Sequence, residues 1–350
     1  MVEKPLRVLQ VGLGARGRKW SQIVRASAAA RPVGYVDPRP EAAAWASTEA
    51  HLPAPVFADL ESALRRVDAD VALVVTPPDG RVAQVTALLD RGLHILAEKP
   101  LTLTLDEATT LARAAERAGK QLGVVHNFRY FPASQRLREI VRSGKYGVPT
   151  FATLTYIRNR DGMAPHLNKY PLVMAQPMLV EQSIHHLDLL RFVYDAEPED
   201  VSAVTWNPAG SMYRDDACAA ALIRMTGGLV VTYHGTWVSG SHTLAFQWRT
   251  DFERGVAIQR DLFGDLVEGA VGDSELRPVP LEPVEPFTTE SARLLDDFLG
   301  SVRRDEPFAS SARDHLRTLG LTLACIESSR TGARVSMREF LARHGVTTTF

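Results

Sequence analysis

Short apolar runs recur through the first 125 residues, and each is followed by a stretch whose apolar positions are spaced for a helix. LRVLQV (6–11), PVGYVD ending at Asp37, VALVVT ending at Thr76, HILAE ending at Glu98 and QLGVVH ending at His126 read as strands. Between them, KWSQIVRASAAA, PEAAAWAS, RVAQVTALLDRG and DEATTLARAAERAGK read as helices. The runs lack polar alternation, which is the pattern of strands covered on both faces. The expectation for residues 1–125 is therefore an α/β domain with a doubly wound parallel sheet.

From residue 148 the texture changes to longer β-rich segments with partial alternation: PTFATLTYIR, DVSAVTW, DACAAALIRM, GLVVTYHGTWV, HTLAFQWRT and RGVAIQRD. Partial alternation suits an antiparallel sheet with one polar face. Residues 126–350 are read as a second α/β domain, with helices from about residue 288 packing back on the first. Trp237 and Trp248 lie on two of these strands, which suggests an apolar sheet face and a homodimer or homotetramer built through it.

Composition narrows the partners. The 350 residues are 45% hydrophobic, and 40 Lys plus Arg nearly cancel 41 Asp plus Glu, with no basic run. That excludes a nucleic-acid footprint and favours a small neutral or weakly polar ligand. No segment is long and apolar enough to read as a membrane span, and the amino terminus lacks a signal peptide's apolar core. Cys218 and Cys325 have no metal or redox spacing, so a cytoplasmic location is expected.

Gly12, Gly14 and Gly17 satisfy G-x-G-x-x-G between the first strand and the first helix. The first glycine permits the tight turn, the second lets the main chain approach a pyrophosphate, and the third lets helix pack on strand. Ala15 and Arg16 begin that helix, whose unpaired N–H groups favour phosphate. Asp37 closes the second strand about twenty residues on, where a carboxylate binds ribose hydroxyls and selects NAD over NADP. Arg39 pulls the other way, since its guanidinium could accept a 2′-phosphate.

In open sheets of this kind, ligands sit beyond the carboxyl ends of the strands. Thr76–Pro77 and Glu98–Lys99–Pro100 occupy two such ends, so they are expected at the nicotinamide. Further on, LVEQSIHHLDLLRFVY (179–194) carries Glu181, His185 and Asp188 at i, i+4 and i+7. On an α-helix that spacing aligns all three along one face, with Leu187, Leu190, Val193 and Tyr194 packing on the other. One histidine with two carboxylates is a poor metal signal, and no metal is expected.

Strand–GLGARG–helix, VVTPP, LHILAEKPLT, VVHNFRYFP, EQSIHHLDLLRF and ARDHLRTLGLTLACIESSRTG together resemble the Gfo/Idh/MocA family, relatives of glucose-fructose oxidoreductase and inositol 2-dehydrogenase. The resemblance implies a Rossmann domain binding NAD(P) and a carboxyl-terminal α/β domain built on a large open antiparallel sheet. It also implies oxidation or reduction of sugars, cyclitols or related polyols. His185 falls on the family's substrate-contacting histidine and Glu181 on its catalytic carboxylate, usually aspartate; Ser183 stands where relatives carry glycine. The stretch 126–132 matches a family segment, which puts Asn127 at the cofactor and Arg129 and Tyr130 at the substrate, unless its aromatic residues only pack. Where relatives often have histidine, this chain has Arg81, to which no catalytic part is given. The polar segment 160–171, with His166, is expected to line the substrate pocket or a subunit contact.

The reaction expected is hydride transfer between nicotinamide and a secondary alcohol. Lys99 and His185 hold the hydroxyl, Glu181 orients or relays the proton, and Asp188 supports the site. Two alternatives remain open at this point: an NAD-dependent glycoside hydrolase that oxidises, eliminates and re-reduces, and a non-catalytic sensor of cofactor redox state.

Overall fold

The computed structural model describes residues 4–164 and 167–347. The chain divides into two compact units, one made of residues up to His126 together with Phe287–Leu316, the other of Asn127–Pro286 and Arg317 onward.

The first unit contains strands β1 (Leu6–Val11), β2 (Ala30–Val36), β3 (Val56–Phe57), β4 (Val71–Val74), β5 (His94–Glu98) and β6 (Leu122–Val125). They form one parallel sheet in the order β3-β2-β1-β4-β5-β6. Helices α1 (Ala15–Ala26), α2 (Pro40–Thr48), α3 (Leu60–Arg66), α4 (Arg81–Asp90) and α5 (Leu105–Arg117) connect successive strands. Every residue of β4 and β6 is buried, which is why these strands read as unbroken apolar runs. The strand order reverses at β1, between β2 and β4, so the carboxyl ends of β1 and β4 flank a switch point where a ligand fits. The two-residue β3 escapes a sequence reading because a strand of that length has no periodicity.

The second unit opens with a 3₁₀ turn, Asn127–Tyr130, and helix α6 (Pro132–Ser143). Strands β7 (Pro149–Ile157), β8 (Pro198–Trp206), β9 (Cys218–Met225), β10 (Val230–Thr236), β11 (Ala245–Phe252), β12 (Gly255–Gln259), β13 (Leu266–Ala270), β14 (Arg277–Pro278) and β15 (Val335–Ser336) form one sheet, in the order β14-β13-β12-β11-β7-β10-β9-β8-β15. The sheet is mixed rather than wholly antiparallel, because β10 pairs with β7 in parallel register. A π-helical turn, Met178–Ser183, leads into α7 (Ile184–Tyr194). Toward the end of the chain lie α8 (Thr289–Arg304), α9 (Ala312–Thr331) and α10 (Met337–Arg343).

The sequence expectation for the tryptophans needs correcting. Trp237 and Trp248 are buried, at 2% and 0% exposure, and Trp248 Nε1 donates to the Tyr194 hydroxyl at 2.8 Å. They therefore face the side of the sheet on which α7 packs. The open side carries Phe151, Val204, Leu222 and Trp206 instead. Among the described residues, no helix is long and apolar enough to cross a membrane.

Candidate active site

The glycine turn shows why each glycine stands where it does. Gly12 has φ +104°, and a Cβ there would lie 2.7 Å from the Val75 carbonyl oxygen. A Cβ on Gly17 would lie 2.2 Å from the Gly12 carbonyl oxygen. Gly14 differs, since its nearest neighbour would be Arg39 at 3.9 Å, so its bareness leaves room for something outside the fold to approach the main chain. Gly14 caps α1 without a side-chain bond and the first turn holds no acid, so the helix end presents N–H groups and positive dipole. Gln10 was not expected here. Its buried amide donates to the carbonyls of Gly12 (2.9 Å) and Gly17 (2.7 Å) and ties strand to helix.

Asp37 ends β2 beside this turn. Leu13 N–H donates to its Oδ2 at 2.8 Å, and Arg39 binds both oxygens through Nε and Nη2 at 2.8 Å each. Burial pushes the Asp37 carboxyl up, but the Arg39 and Leu13 bonds prevail and hold it below the usual range. The donor set of open glycine turn, bare helix end and ionised carboxylate fits a dinucleotide with a ribose diol. With the cofactor there, Gly12, Gly14 and Ala15 would lie along the pyrophosphate and Asp37 at the ribose.

The EKP segment is fixed from several sides. The Glu98 carboxylate accepts from Arg16 Nε and from Trp20 Nε1, each at 2.8 Å. Burial raises the Glu98 carboxyl, while the charges of Arg16 and Lys99 and the Trp20 bond bring it below the ordinary value. Arg16 also donates to Ser291 Oγ at 2.9 Å. Two residues expected at the cofactor, Arg16 and Glu98, are thus joined to each other.

Arg81, at 1% exposure, donates to the carbonyls of Thr76, Glu98 and Pro100, with a longer bond to Leu101 at 3.4 Å. The Leu101 N–H donates to His315 Nε2 at 3.3 Å, and His315 Nδ1 lies 2.8 Å from His126 Nε2. Acceptance at Nε2 places the His315 proton on Nδ1, which then donates to His126. Lys99, half-buried at the end of β5, thus extends from a segment braced by Arg81 and His315. Sequence reasoning missed both braces. A buried arginine serving carbonyls looks like any helix-start arginine in a sequence, and Thr76 and Pro77 gave no sign of it.

In the second unit, the Phe128 ring stacks on His185 with centroids 4.2 Å apart and 11° between planes. His185 is 7% exposed. The expected three-residue stripe is altered in two ways. Glu181 sits on the π turn, so its relation to His185 is not the α-helical i, i+4 one. In addition, α7 is buried nearly all round rather than on one face.

Asp188, at 1% exposure, is gripped by Arg129 through Nε (2.7 Å) and Nη2 (2.6 Å), and Thr318 donates to it at 2.9 Å. Arg191 continues the network, donating to Thr318 and forking onto Glu197 at 2.7 and 2.8 Å. Arg129 and Asp188, both expected at the substrate, therefore hold α7 to the NFRY turn. Asn127 and Tyr130 belong to the same turn. His166 lies outside the described residues.

His186 turns away from His185. Its Nδ1 donates to the Tyr233 hydroxyl at 3.0 Å, and Tyr233 donates to Ser183 Oγ at 2.7 Å. Burial lowers the His186 imidazole to about 3, so it is a neutral packing residue. Ser183, in the position of the family's glycine, uses its hydroxyl to close that chain and to bond the Met178 carbonyl at 3.0 Å.

Residues 6–126 match the family model described as "Oxidoreductase family, NAD-binding Rossmann fold", and residues 134–257 match the "GFO/IDH/MocA C-terminal domain". The chain belongs to the Gfo/Idh/MocA family. It is thus an NAD(P)-dependent dehydrogenase with NAD as its cofactor. An inositol 2-dehydrogenase of Rhizobium meliloti (strain 1021) is 23% identical over 337 residues, covering 93% of this chain and 98% of its own. An oxidoreductase from Agrobacterium radiobacter, solved with NAD+, L-tartaric acid and magnesium, superposes with a TM-score of 0.88 at 17% identity, covering 97% of this chain and 100% of its own. A levoglucosan dehydrogenase solved with NADH and levoglucosan gives 0.84 at 19% identity, covering 95% and 100%.

Proposed function

We propose that this oxidoreductase moves a hydride between nicotinamide C4 and a secondary alcohol carbon of a sugar, cyclitol or related polyol. The bracing of Lys99 carries this reading. A lysine at the end of β5, on a segment held by Arg81 and His315, is a preorganised donor at the strand end where the Rossmann fold places its ligand. The known binding partners of the relatives, inositol by name and levoglucosan in a complex, support the substrate class.

Bound NAD+ supplies the hydride acceptor. Lys99 of the first unit or His185 of the second hydrogen-bonds the reacting hydroxyl and takes its proton as the C–H bond is lost and the carbonyl forms. Glu181 orients that base or relays the proton. The Phe128 stack fixes the plane of the His185 ring, and the Arg129–Asp188 pair fixes the helix that carries it. Arg16 and Glu98 work as positioning residues for the same segment as Lys99, while Arg39, Thr76, Pro77 and Asn127 border the cofactor.

Reduced-cofactor absorbance, followed during turnover on free polyols and on glycosides with NAD and with NADP, tests this. Net NADH formation from a free sugar or polyol is the expected result. Glycoside cleavage without accumulated NADH would replace it with redox-neutral hydrolysis, and tight NADH binding without any turnover would replace it with sensing.

We also propose self-association through the open side of the second sheet, where Phe151, Leu222, Val204 and Trp206 lie exposed. Light scattering is expected to report a dimer or tetramer that Phe151→Glu combined with Leu222→Glu converts to monomer; a wild-type monomer at micromolar concentration defeats the idea.

A further inference from the structure

Beyond the formal end of β7, the chain keeps its pairing with β10. Arg158 N–H donates to the Thr236 carbonyl at 3.2 Å, and Arg160 N–H to that of Trp237 at 3.0 Å. Alternation along an extended chain puts Tyr156, Arg158 and Arg160 on one face. It is the face that carries α7, because the Tyr156 ring lies 4.9 Å from that of His186, the neighbour of His185.

The Arg160 guanidinium lies 4.5 Å over the Trp237 ring and donates to the Tyr213 hydroxyl at 3.2 Å. Tyr213 in turn donates to the Arg160 carbonyl at 2.9 Å. Burial raises the hydroxyls of Tyr156 and Tyr213, and the charges of both arginines oppose it at both rings. Arg160 thus sits at Tyr213 and Trp237, and Arg158 follows Tyr156 on the same face of the chain, close enough for its charge to be felt at both tyrosines.

Both arginines are half-buried, and among the described residues no ion pair joins either to a carboxylate. The Arg158 Nε is buried without a hydrogen-bond partner. Nearby acids are otherwise engaged. Asp161 is exposed and accepts from Met163 N–H at 2.9 Å, while Asp216 accepts from Thr205 at 2.6 Å and Gln176 at 3.0 Å. Like charges brought together and partly stripped of water repel, and the Trp237 face relieves Arg160 only in part. An anion between them removes the repulsion, and the planar fork of arginine fits carboxylate and phosphate oxygens two at a time.

We propose that Arg158 and Arg160 form a subsite for an anionic group of the substrate, so that the enzyme acts on an acidic sugar or polyol derivative rather than on a neutral one. The inference rests on the hydride-transfer reading given above for the chemistry at His185. The shared chemistry is a carboxylate or phosphate oxyanion, as in a uronate, an aldonate or a sugar phosphate.

Steady-state turnover with NAD+ is measured on the full chain for glucose, glucuronate and glucose 6-phosphate, and for galactose, galacturonate and galactose 6-phosphate. The anionic members are expected to exceed their neutral parents in kcat/KM by about tenfold or more, and the two anion types separate carboxylate from phosphate. Arg158→Gln and Arg160→Gln should each remove about that factor, chiefly through KM, while neutral sugars change by no more than about twofold. Arg158→Lys and Arg160→Lys keep the charge but lose the fork, and should recover part of it; they also carry the test where a glutamine variant fails to fold.

Calorimetric binding of glucuronate and glucose 6-phosphate to the NADH-loaded chain runs in parallel. Anion binding that disappears in the double variant supports the subsite even if no sugar is oxidised, which would sink the hydride-transfer reading alone. Neutral sugars turned over as well as acidic ones, or no anion bound by the wild type, overturns the proposal and leaves that reading standing.

Discussion

Replacing Lys99 by alanine is expected to lower kcat by on the order of a hundredfold or more, with NAD affinity nearly unchanged. The asymmetry follows from where the residue sits. The glycine turn at Gly12–Gly17 joins β1 to α1 and Asp37 follows β2, where Leu13 N–H and Arg39 hold its carboxylate, whereas Lys99 follows β5. The segment that carries Lys99 is itself held by Arg81 and His315 through main-chain atoms, so truncating the side chain leaves its backbone in place. Lys99→Arg refines the result. Arginine keeps the positive charge but does not give up a proton at any working pH, so a variant as slow as Lys99→Ala assigns Lys99 to proton transfer. Near-wild-type kcat in Lys99→Ala, with cofactor binding intact, would remove the residue from the catalytic group.

The parts of this arrangement that could be read in the sequence are those whose cause is local. β1 appears as LRVLQV because a strand covered on both faces has no polar positions to spare, and G-x-G-x-x-G follows because the turn itself excludes side chains at Gly12 and Gly17. The parts that stayed hidden depend on partners far along the chain. Arg81 reads as a solvated helix-start arginine until the carbonyls of Glu98 and Pro100 are seen to end on it. Asp188 reads as one member of a reactive stripe, although Arg129, 59 positions earlier, and Thr318, 130 positions later, already use its oxygens. Trp248 shares strand parity with the buried Phe246, Thr250 and Phe252, so its alternation was legible. Which side of the sheet α7 would cover was not, and the tryptophans were expected on the wrong side for that reason. Arg158 and Arg160 are a further case: two arginines one residue apart look like an exposed strand end until the fold surrounds them with Tyr156, Tyr213 and Trp237.

The buried pair in the second unit makes the largest expected stability effect. Asp188→Ala leaves the Arg129 guanidinium, 7% exposed, without its bidentate partner, and also frees the Thr318 hydroxyl that Arg191 donates to. Removing one member of a buried ion pair costs about 3–5 kcal/mol, because the remaining charge keeps its desolvation penalty and loses the attraction that offset it. The unfolding free energy of the second unit, measured by urea titration at fixed protein concentration, should fall by that amount, seen as a lower midpoint with an unchanged m value. A second variant separates charge from packing. Asp188→Leu combined with Arg129→Met removes both charges and retains apolar volume, so it should recover much of the loss, as replacement of a buried pair by well-packed side chains generally costs little. Catalysis is expected to follow a different order, since α7 carries His185 and its attachment to the NFRY turn is what the pair supplies. The double variant, though folded, should remain slower than wild type, because a methionine–leucine contact lacks the two directed bonds that fix the helix in one register. A drop of less than about 1 kcal/mol in Asp188→Ala, the scale of a solvent-exposed ion pair, would mean that water reaches the pair and that α7 is positioned by its apolar contacts alone.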